Sequence, residues 1–274
     1  TNGNYSATGV EVSATPAAAA TTTVGNGTNP ANASIAPGGA AAMLDSFTLQ
    51  TSTGTDTVTA ATVTLSAGSS AGLSLVEITN DAGTTVYGSA ANPASDTPNI
   101  TLTTAISATT TLTQYKVRIT SKTHANMPVP PGSTYTVTGT ITAITSTNSK
   151  TYSDTASATV TIDNLSPANA TGASAAPGDG QVTVSWTDPI DTDFSQVVIL
   201  RKAGSTITDV PVEGTTYIAG NIIGASTVFY VGAVSPQTNT GLTNGTIYYY
   251  RIFAKDTNGN YSATGVEVSA TPAA

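Results

Sequence analysis

Short runs in which apolar and polar residues alternate recur along most of the chain. Phe47 and Leu49 alternate with polar neighbours in DSFTLQTS, and Val58, Val63 and Leu65 are spaced similarly in DTVTAATVTLSA. A period of two residues places apolar side chains on one face of a β-strand. Thr and Val, which favour strands, are abundant, whereas the helix formers Glu, Lys and Leu are scarce. The pattern therefore predicts an all-β protein.

The spacing of these runs predicts two sandwiches in series. In residues 33–163, strands recur at intervals of about ten residues, which is typical of an immunoglobulin-like β-sandwich. Within that domain, residues 133–145 and 153–163 are predicted to pair as a hairpin through STNSKTY. Residues 19–32 are small, polar and interrupted by Gly and Pro, so we expect a linker there. Residues 164–274 form the second predicted domain.

One stretch, TNGNYSATGVEVSATPAA, occurs twice, as residues 1–18 and again as residues 257–274. The second copy ends a complete run of predicted strands, whereas the first is followed by the linker. An isolated strand leaves its backbone hydrogen-bonding groups unpaired. We therefore expect residues 1–18 to be an orphan strand, the terminal strand of a preceding repeat. A continuous tandem array, a strand donated between subunits and a duplication without structural role all remain open.

Composition excludes several classes of function. Charged residues make up 9% of the chain, and sixteen acids against eight bases argue against a nucleic-acid partner. The absence of Cys rules out disulfides and thiolate metal sites, and no apolar run is long enough to span a bilayer. His124 is the only histidine, so a Ser-His-Asp triad is poorly supported, and we expect a surface position for it. We predict that the protein is not an enzyme.

The second domain resembles a known family. The runs GDGQVTVSWTDP, FSQVVILRK and GLTNGTIYYYRIFAKDTNGNYSATGVEVSATP are similar to fibronectin type III domains of the bacterial extracellular kind. Trp186 occupies the place of the family's core Trp, and Leu242 with Tyr248 matches its tyrosine corner. The resemblance implies a seven-stranded sandwich and no activity. It would make residues 1–18 the FG turn and last strand of such a domain. The chain departs from the family in residues 203–226, a long Gly-rich excursion.

Oxygen-bearing side chains are concentrated in loops that the resemblance brings to the junction between the two sandwiches. They lie in the incoming linker, in TDPIDTD and in the FG turn. The proposed ligands are Asp163, Asn164, Asp188, Asp191, Asp193 and Asp256, with Asn258 and Asn260 nearby. Calcium takes six to eight oxygen ligands, so one hypothesis is an interdomain calcium site. The alternative is that these are turn residues whose charge Lys255 and Arg201 balance.

These observations favour a structural repeat unit of an extracellular filament, stalk or cell-surface fibre, of prokaryotic origin. Its expected partners are identical neighbouring repeats or subunits. The alternative is an adhesin or carbohydrate-binding accessory module, or a spacer, of a large secreted protein. Glycans are a further expected partner class, since three sequons offer acceptor sites: Asn26, Asn99 and Asn244.

Overall fold

The structure, a computed structural model, describes residues 2, 8, 13, 18–128 and 134–274. The orphan strand expected at residues 1–18 lies almost entirely outside the described residues. The described part contains twenty strands and two short 3-10 helices, Ser69–Gly72 and His124–Asn126, and it has no α-helix. The prediction of an all-β chain with two sandwiches in series is therefore confirmed.

The first sandwich contains twelve strands. They are β1 (Thr21–Asn26), β2 (Ala33–Ile35), β3 (Ala42–Thr51), β4 (Asp56–Leu65), β5 (Leu73–Asn80), β6 (Val86–Ala91), β7 (Asn99–Ala108), β8 (Thr113–Ser121), β9 (Tyr135–Val137), β10 (Gly139–Thr145), β11 (Ser149–Ser153) and β12 (Val160–Ile162). Nine of them follow the order β10-β4-β7-β6-β5-β8-β3-β1-β11, and the rest form a sheet in the order β2-β12-β9. A single residue pair, Gly88 with Leu102, joins β6 to β7. This weak link lets the two halves of the long sheet fold over one core.

Branched aliphatic side chains fill that core. Leu44, Ile78 and Ile119 are fully buried, and the Phe47 ring stacks on Tyr115 at a centroid distance of 5.7 Å. All five apolar residues predicted to point inward from β3 and β4 are at most 5% exposed. Burying one such side chain contributes roughly 1.5–3 kcal/mol. The alternating pattern therefore identified the core-facing positions of these strands correctly.

One expectation for this domain was wrong and another was only partly right. The predicted linker 19–32 contains β1, which pairs antiparallel with β3 and parallel with β11. Its Thr22 and Val24 are fully buried, so the segment is part of the core despite its small, polar residues. The predicted hairpin forms only in part. Its outer ends pair antiparallel as β9 and β12, with Val137 opposite Val160, but β10 pairs with β4, and the predicted connection contains most of β11, which pairs with β1. Between β10 and β11 the chain passes from one edge of the nine-stranded sheet to the other.

The second sandwich contains eight strands. They are β13 (Thr171–Gly178), β14 (Gln181–Thr187), β15 (Phe194–Ala203), β16 (Ile222–Ile223), β17 (Ser226–Gly232), β18 (Gln237–Thr240), β19 (Tyr248–Asp256) and β20 (Val266–Ala270). A sheet β13-β14-β18 faces a sheet β16-β17-β15-β19-β20. Trp186 and Tyr250 lie in the core between them. The Thr243 backbone N–H donates to the Tyr248 hydroxyl at 3.2 Å, as expected of a tyrosine corner.

The Gly-rich excursion between β15 and β17 covers the outer face of the five-stranded sheet. Ile207 is 2% exposed and belongs to a second apolar cluster with Val198, Leu200 and Phe253. The Ile207 N–H donates to a carboxylate oxygen of Glu267 on β20 at 2.7 Å. The excursion is thus fixed to the sheet by apolar packing and by a charged hydrogen bond, and the domain has a core on each side of this sheet.

Two carboxyl groups lie buried together in the first sandwich. Asp45 of β3 is fully buried, and Asp154, which follows β11, is 6% exposed. The Ile141 N–H donates to Asp154 Oδ2 at 2.7 Å. Burial raises the pKa of both carboxyls, and the nearby Asp154 raises the pKa of Asp45 further. Neither Asp45 oxygen has a hydrogen-bond partner. Because two buried neighbouring carboxylates repel each other, we infer that Asp45 is the protonated member of the pair.

We predict that Asp45→Asn stabilises the protein at pH 8, by about 1 kcal/mol or more. The native state retains a proton that the unfolded chain releases above the ordinary carboxyl pKa of 3.8. Wild-type stability therefore falls as pH rises, and the amide removes this loss. Urea unfolding at pH 5 and pH 8 measures it, with the exposed Asp179→Asn as control. A difference between variant and wild type that does not change with pH would contradict a proton retained on Asp45.

Candidate metal centre

The linker between the sandwiches is anchored at both ends. Asp163, directly after β12, donates its N–H to the Ile35 carbonyl of the first sandwich at 3.0 Å. The Ala168 N–H donates to Asp191 Oδ2 of the second sandwich at 3.0 Å. Asn169 Nδ2 donates to the Thr264 hydroxyl at 2.9 Å. These bonds hold the linker against the end of the second sandwich where its acidic loops lie.

Three carboxylates meet at this end. Oxygen atoms of Asp163, Asp193 and Asp256 lie within 4.8 Å of one another. Asp193 immediately precedes β15 and Asp256 ends β19, and these strands pair antiparallel with Phe194 opposite Asp256. The start of one strand therefore lies beside the end of the other, which brings their acidic residues together. Asp163 completes the cluster from the linker. We call these three residues the junction carboxylates.

Amide side chains of the FG turn contact the junction carboxylates. The Asn260 backbone N–H donates to Asp256 Oδ1 at 2.8 Å, and Asn260 Nδ2 donates to Asp256 Oδ2 at 2.7 Å and to the Asp163 carbonyl at 3.2 Å. Asn258 Nδ2 donates to Asp163 Oδ2 at 2.7 Å. Asn260 is fully buried, yet its Oδ1 has no hydrogen-bond partner. The side chain that contacts the cluster through Nδ2 thus also carries a buried oxygen without a partner.

The cluster carries uncompensated negative charge. Asp163 is 8% and Asp256 1% exposed, and burial, followed by the neighbouring carboxylates, raises the pKa of Asp256. Burial also raises the pKa of Asp193. Neither salt bridge found in the described ranges involves these residues.

The cations expected to balance this charge lie elsewhere. The Lys255 ammonium sits over the Tyr261 ring, 5.7 Å from its centroid. The Arg201 guanidinium donates to Asn239 Oδ1 at 3.3 Å. Both are thus engaged away from the junction carboxylates, and the charge balance that we expected from them is absent among the described contacts.

The remaining proposed ligands have other positions. Asp188 Oδ1 accepts a hydrogen bond from the Trp186 indole at 2.8 Å, which fixes the core Trp. Asp191 holds the linker through Ala168. Asn164 is fully buried next to Asp163 in the chain. The structure therefore brings three of the six residues into one cluster and gives Asp188 and Asp191 structural roles.

His124 contributes to the junction, contrary to the surface position we expected. It is 7% exposed, and a Cβ added to Gly214 would meet its Cδ2 at 2.5 Å. Burial lowers the pKa of His124, against a smaller opposing effect from its hydrogen bond to the Asn258 backbone. The sequence held no signal for this contact, because Gly214 lies in the excursion, 90 residues further along the chain.

Comparisons with known proteins return similarity of fold only. No family model and no curated protein matches the chain. Similar solved structures include domains d3-d4 of the rat CD45 extracellular region, at 9% identity and a TM-score of 0.32, covering 52% of this chain and 65% of that one. Domains A168-A170 of titin are 10% identical with a TM-score of 0.36, and the match covers 91% of this chain and 65% of that one. The fibronectin(III)-like modules of Clostridium thermocellum CbhA are 12% identical with a TM-score of 0.29, and the match covers 91% of this chain and 93% of that one.

The chain thus spans 65% of the CD45 and titin structures that it matches. At these TM-scores the likenesses carry no argument about function. The fibronectin type III-like character of the second sandwich rests on its own strand order, core Trp and tyrosine corner. Within the described ranges, no helix is long and apolar enough to cross a membrane.

We predict that Gly214→Ala destabilises the protein by at least about 1 kcal/mol more than Gly204→Ala. Both glycines have positive φ, +74° and +80°, so both variants carry the same backbone strain. Only at position 214 would the new methyl group meet His124, since nothing lies within 4 Å of a Cβ at position 204. Urea unfolding of the two variants measures the difference, and equal losses would contradict a packed contact between the domains.

Proposed function

We propose that the chain is a structural repeat unit of an extracellular filament, stalk or cell-surface fibre. In this proposal residues 1–18 complete the fibronectin type III-like sandwich of an identical neighbouring unit. The observation that carries the proposal is the letter-for-letter identity of residues 1–18 with residues 257–274. This sequence identity is informative because the second copy, residues 257–274, forms the last strand of the second sandwich.

Residues 257–274 are integral to the second sandwich. They supply β20, which pairs with β19 along five residues. Tyr261 is 1% exposed, and its hydroxyl donates to the Thr215 carbonyl at 2.7 Å. Glu267 accepts the Ile207 N–H. Residues 1–18 offer the same side chains in the same order, so an identical sandwich elsewhere would present them with the same pairing edge and the same pocket for an aromatic ring.

Two arrangements satisfy this proposal. In a continuous array, the residues preceding this segment supply the other strands of the neighbour's sandwich. In strand exchange, residues 1–18 of one subunit occupy the β20 position in another. Exchange needs a vacant position, and Val266–Ala270 fill it in this chain. We therefore favour the continuous array.

The surface chemistry is compatible with close lateral packing. Charged residues are few, so neighbouring units repel one another weakly. Two of the sequon asparagines already use the side-chain nitrogen that a glycan would occupy. Asn26 Nδ2 donates to the Thr155 hydroxyl at 3.3 Å, and Asn244 Nδ2 donates to Asp179 Oδ1 at 2.8 Å. A glycan at either residue would replace a hydrogen on this nitrogen.

Electron microscopy of native material, with the mass of one denatured chain, tests the proposal. Regular fibres composed of chains many times 27.2 kDa support the array, and fibres composed of chains near 27.2 kDa support strand exchange. Saturable glycan binding by single units that form no fibres would instead support the adhesin alternative.

We predict that Tyr5→Ala and Tyr261→Ala have different consequences, although the two residues occupy equivalent places in the repeated stretch. Tyr261→Ala should cost the isolated chain about 3–5 kcal/mol, because it removes a buried aromatic ring. Tyr5→Ala should leave the thermal midpoint of the isolated chain unchanged. If units join by strand exchange, it should also reduce assembly of the isolated chain into fibres. Thermal melting and electron microscopy of both variants measure this. Unimpaired assembly of the Tyr5 variant would contradict strand exchange through residues 1–18 and leave the continuous array.

A further inference from the structure

We propose that the junction carboxylates and Asn260 bind a calcium ion that fixes the two sandwiches relative to each other. The site would take ligands from both sides of the joint. Asp163 follows the last strand of the first sandwich, whereas Asp193, Asp256 and Asn260 belong to the second. Because all four residues lie in one chain, the inference is independent of how repeats join.

The distances allow one cation to contact all three carboxylates. One oxygen from each junction carboxylate lies within 4.8 Å of the other two. Two oxygens bound to one calcium ion at 2.3–2.6 Å are separated by at most about 4.6–5.2 Å. Magnesium retains several waters when it binds a protein. The deep burial of Asp163 and Asp256 leaves little room for those waters.

A second observation, separate from the clustering of acids, is the Asn260 side chain. It is fully buried and its amide contacts Asp256 and the Asp163 carbonyl, but Oδ1 lacks a partner. A buried carbonyl oxygen without a hydrogen bond is costly to the native state. Turning the amide by half a rotation exchanges Nδ2 for Oδ1 and directs that oxygen at the cluster. With an ion present, Oδ1 and the Asp163 carbonyl become ligands alongside the three carboxylates.

A bound calcium ion would remove the repulsion among the junction carboxylates. Three neighbouring carboxylates repel one another, and burial increases the repulsion because the local dielectric constant is low. A divalent cation reverses the sign of the interaction at each carboxylate. The Asp163 N–H is hydrogen-bonded to the Ile35 carbonyl of the first sandwich. An ion that holds Asp163 against the second sandwich therefore also restricts rotation about the linker.

Thermal melting of the full chain in calcium or in chelator, with isothermal titration calorimetry, tests the proposal. We expect millimolar calcium to raise the wild-type midpoint by about 5 °C or more, because the ion binds the folded form. An equal concentration of magnesium should raise it less. No calcium-dependent shift, or an equal shift with magnesium, would overturn the proposal.

Asp193→Asn is the decisive variant, because Asp193 is partly exposed and its replacement should leave the fold intact. In chelator the variant should melt at or above the wild-type midpoint, because one repelling charge is gone. In calcium it should melt below the wild type, with affinity reduced at least about tenfold.

Asp179→Asn is the matched control. It replaces an exposed acid of the same domain that pairs with Asn244, away from the junction, and it should behave as wild type in both conditions. The same calcium shift in wild type and in Asp193→Asn would place the ion elsewhere and refute the site. Small-angle X-ray scattering with and without calcium gives an independent measure, since the free linker should allow a larger radius of gyration.

Discussion

Pairing between strands that are distant in the chain is the constraint on which this structure depends. Strand β1 is held between β3 and β11, and the residues of β11 that it contacts lie more than 120 positions further along. The Asn26 side chain strengthens the same closure by accepting hydrogen bonds from the backbone after β11. In the second sandwich, the pairing of β15 with β19 determines which loop residues become neighbours. The candidate metal centre is therefore a direct product of sheet register.

Pairing between distant strands also explains why the sequence predicts core positions in both domains but strand partners only in the second. Alternation identifies the core positions of β3 and β4, as at Phe47 and Leu49. The resemblance of the second domain supplies the pairing partners as well, so the roles of Trp186 and Tyr248 followed from the sequence. The first domain offers no such guide. Its β1 contains three Thr residues and only one large apolar residue, Val24, and only its burial between β3 and the distant β11 distinguishes it from a linker.

At the junction, the sequence predicts which loops meet but not which side chains contact one another. Topology correctly indicated that three acidic segments meet, but it could not say which carboxylates turn toward one another. Asp188 is engaged by the indole two residues earlier, a local contact set by the strand end. Asp191 is engaged by the linker backbone. His124 and the Asp45–Asp154 pair gave no signal, because each depends on a partner brought close only by tertiary packing.

Polar contacts are prominent at the joint between the sandwiches. Those between described residues include hydrogen bonds from Asn258 and Asn260 to Asp163 and the packing of His124 on glycine backbone. Directional bonds of this kind specify an orientation, whereas apolar surfaces tolerate sliding. Each buried carboxylate is also costly unless it is compensated. A joint that places three of them together is therefore stable in one geometry and sensitive to any cation that reaches it, so the stiffness of a chain of such units would be determined at its junctions.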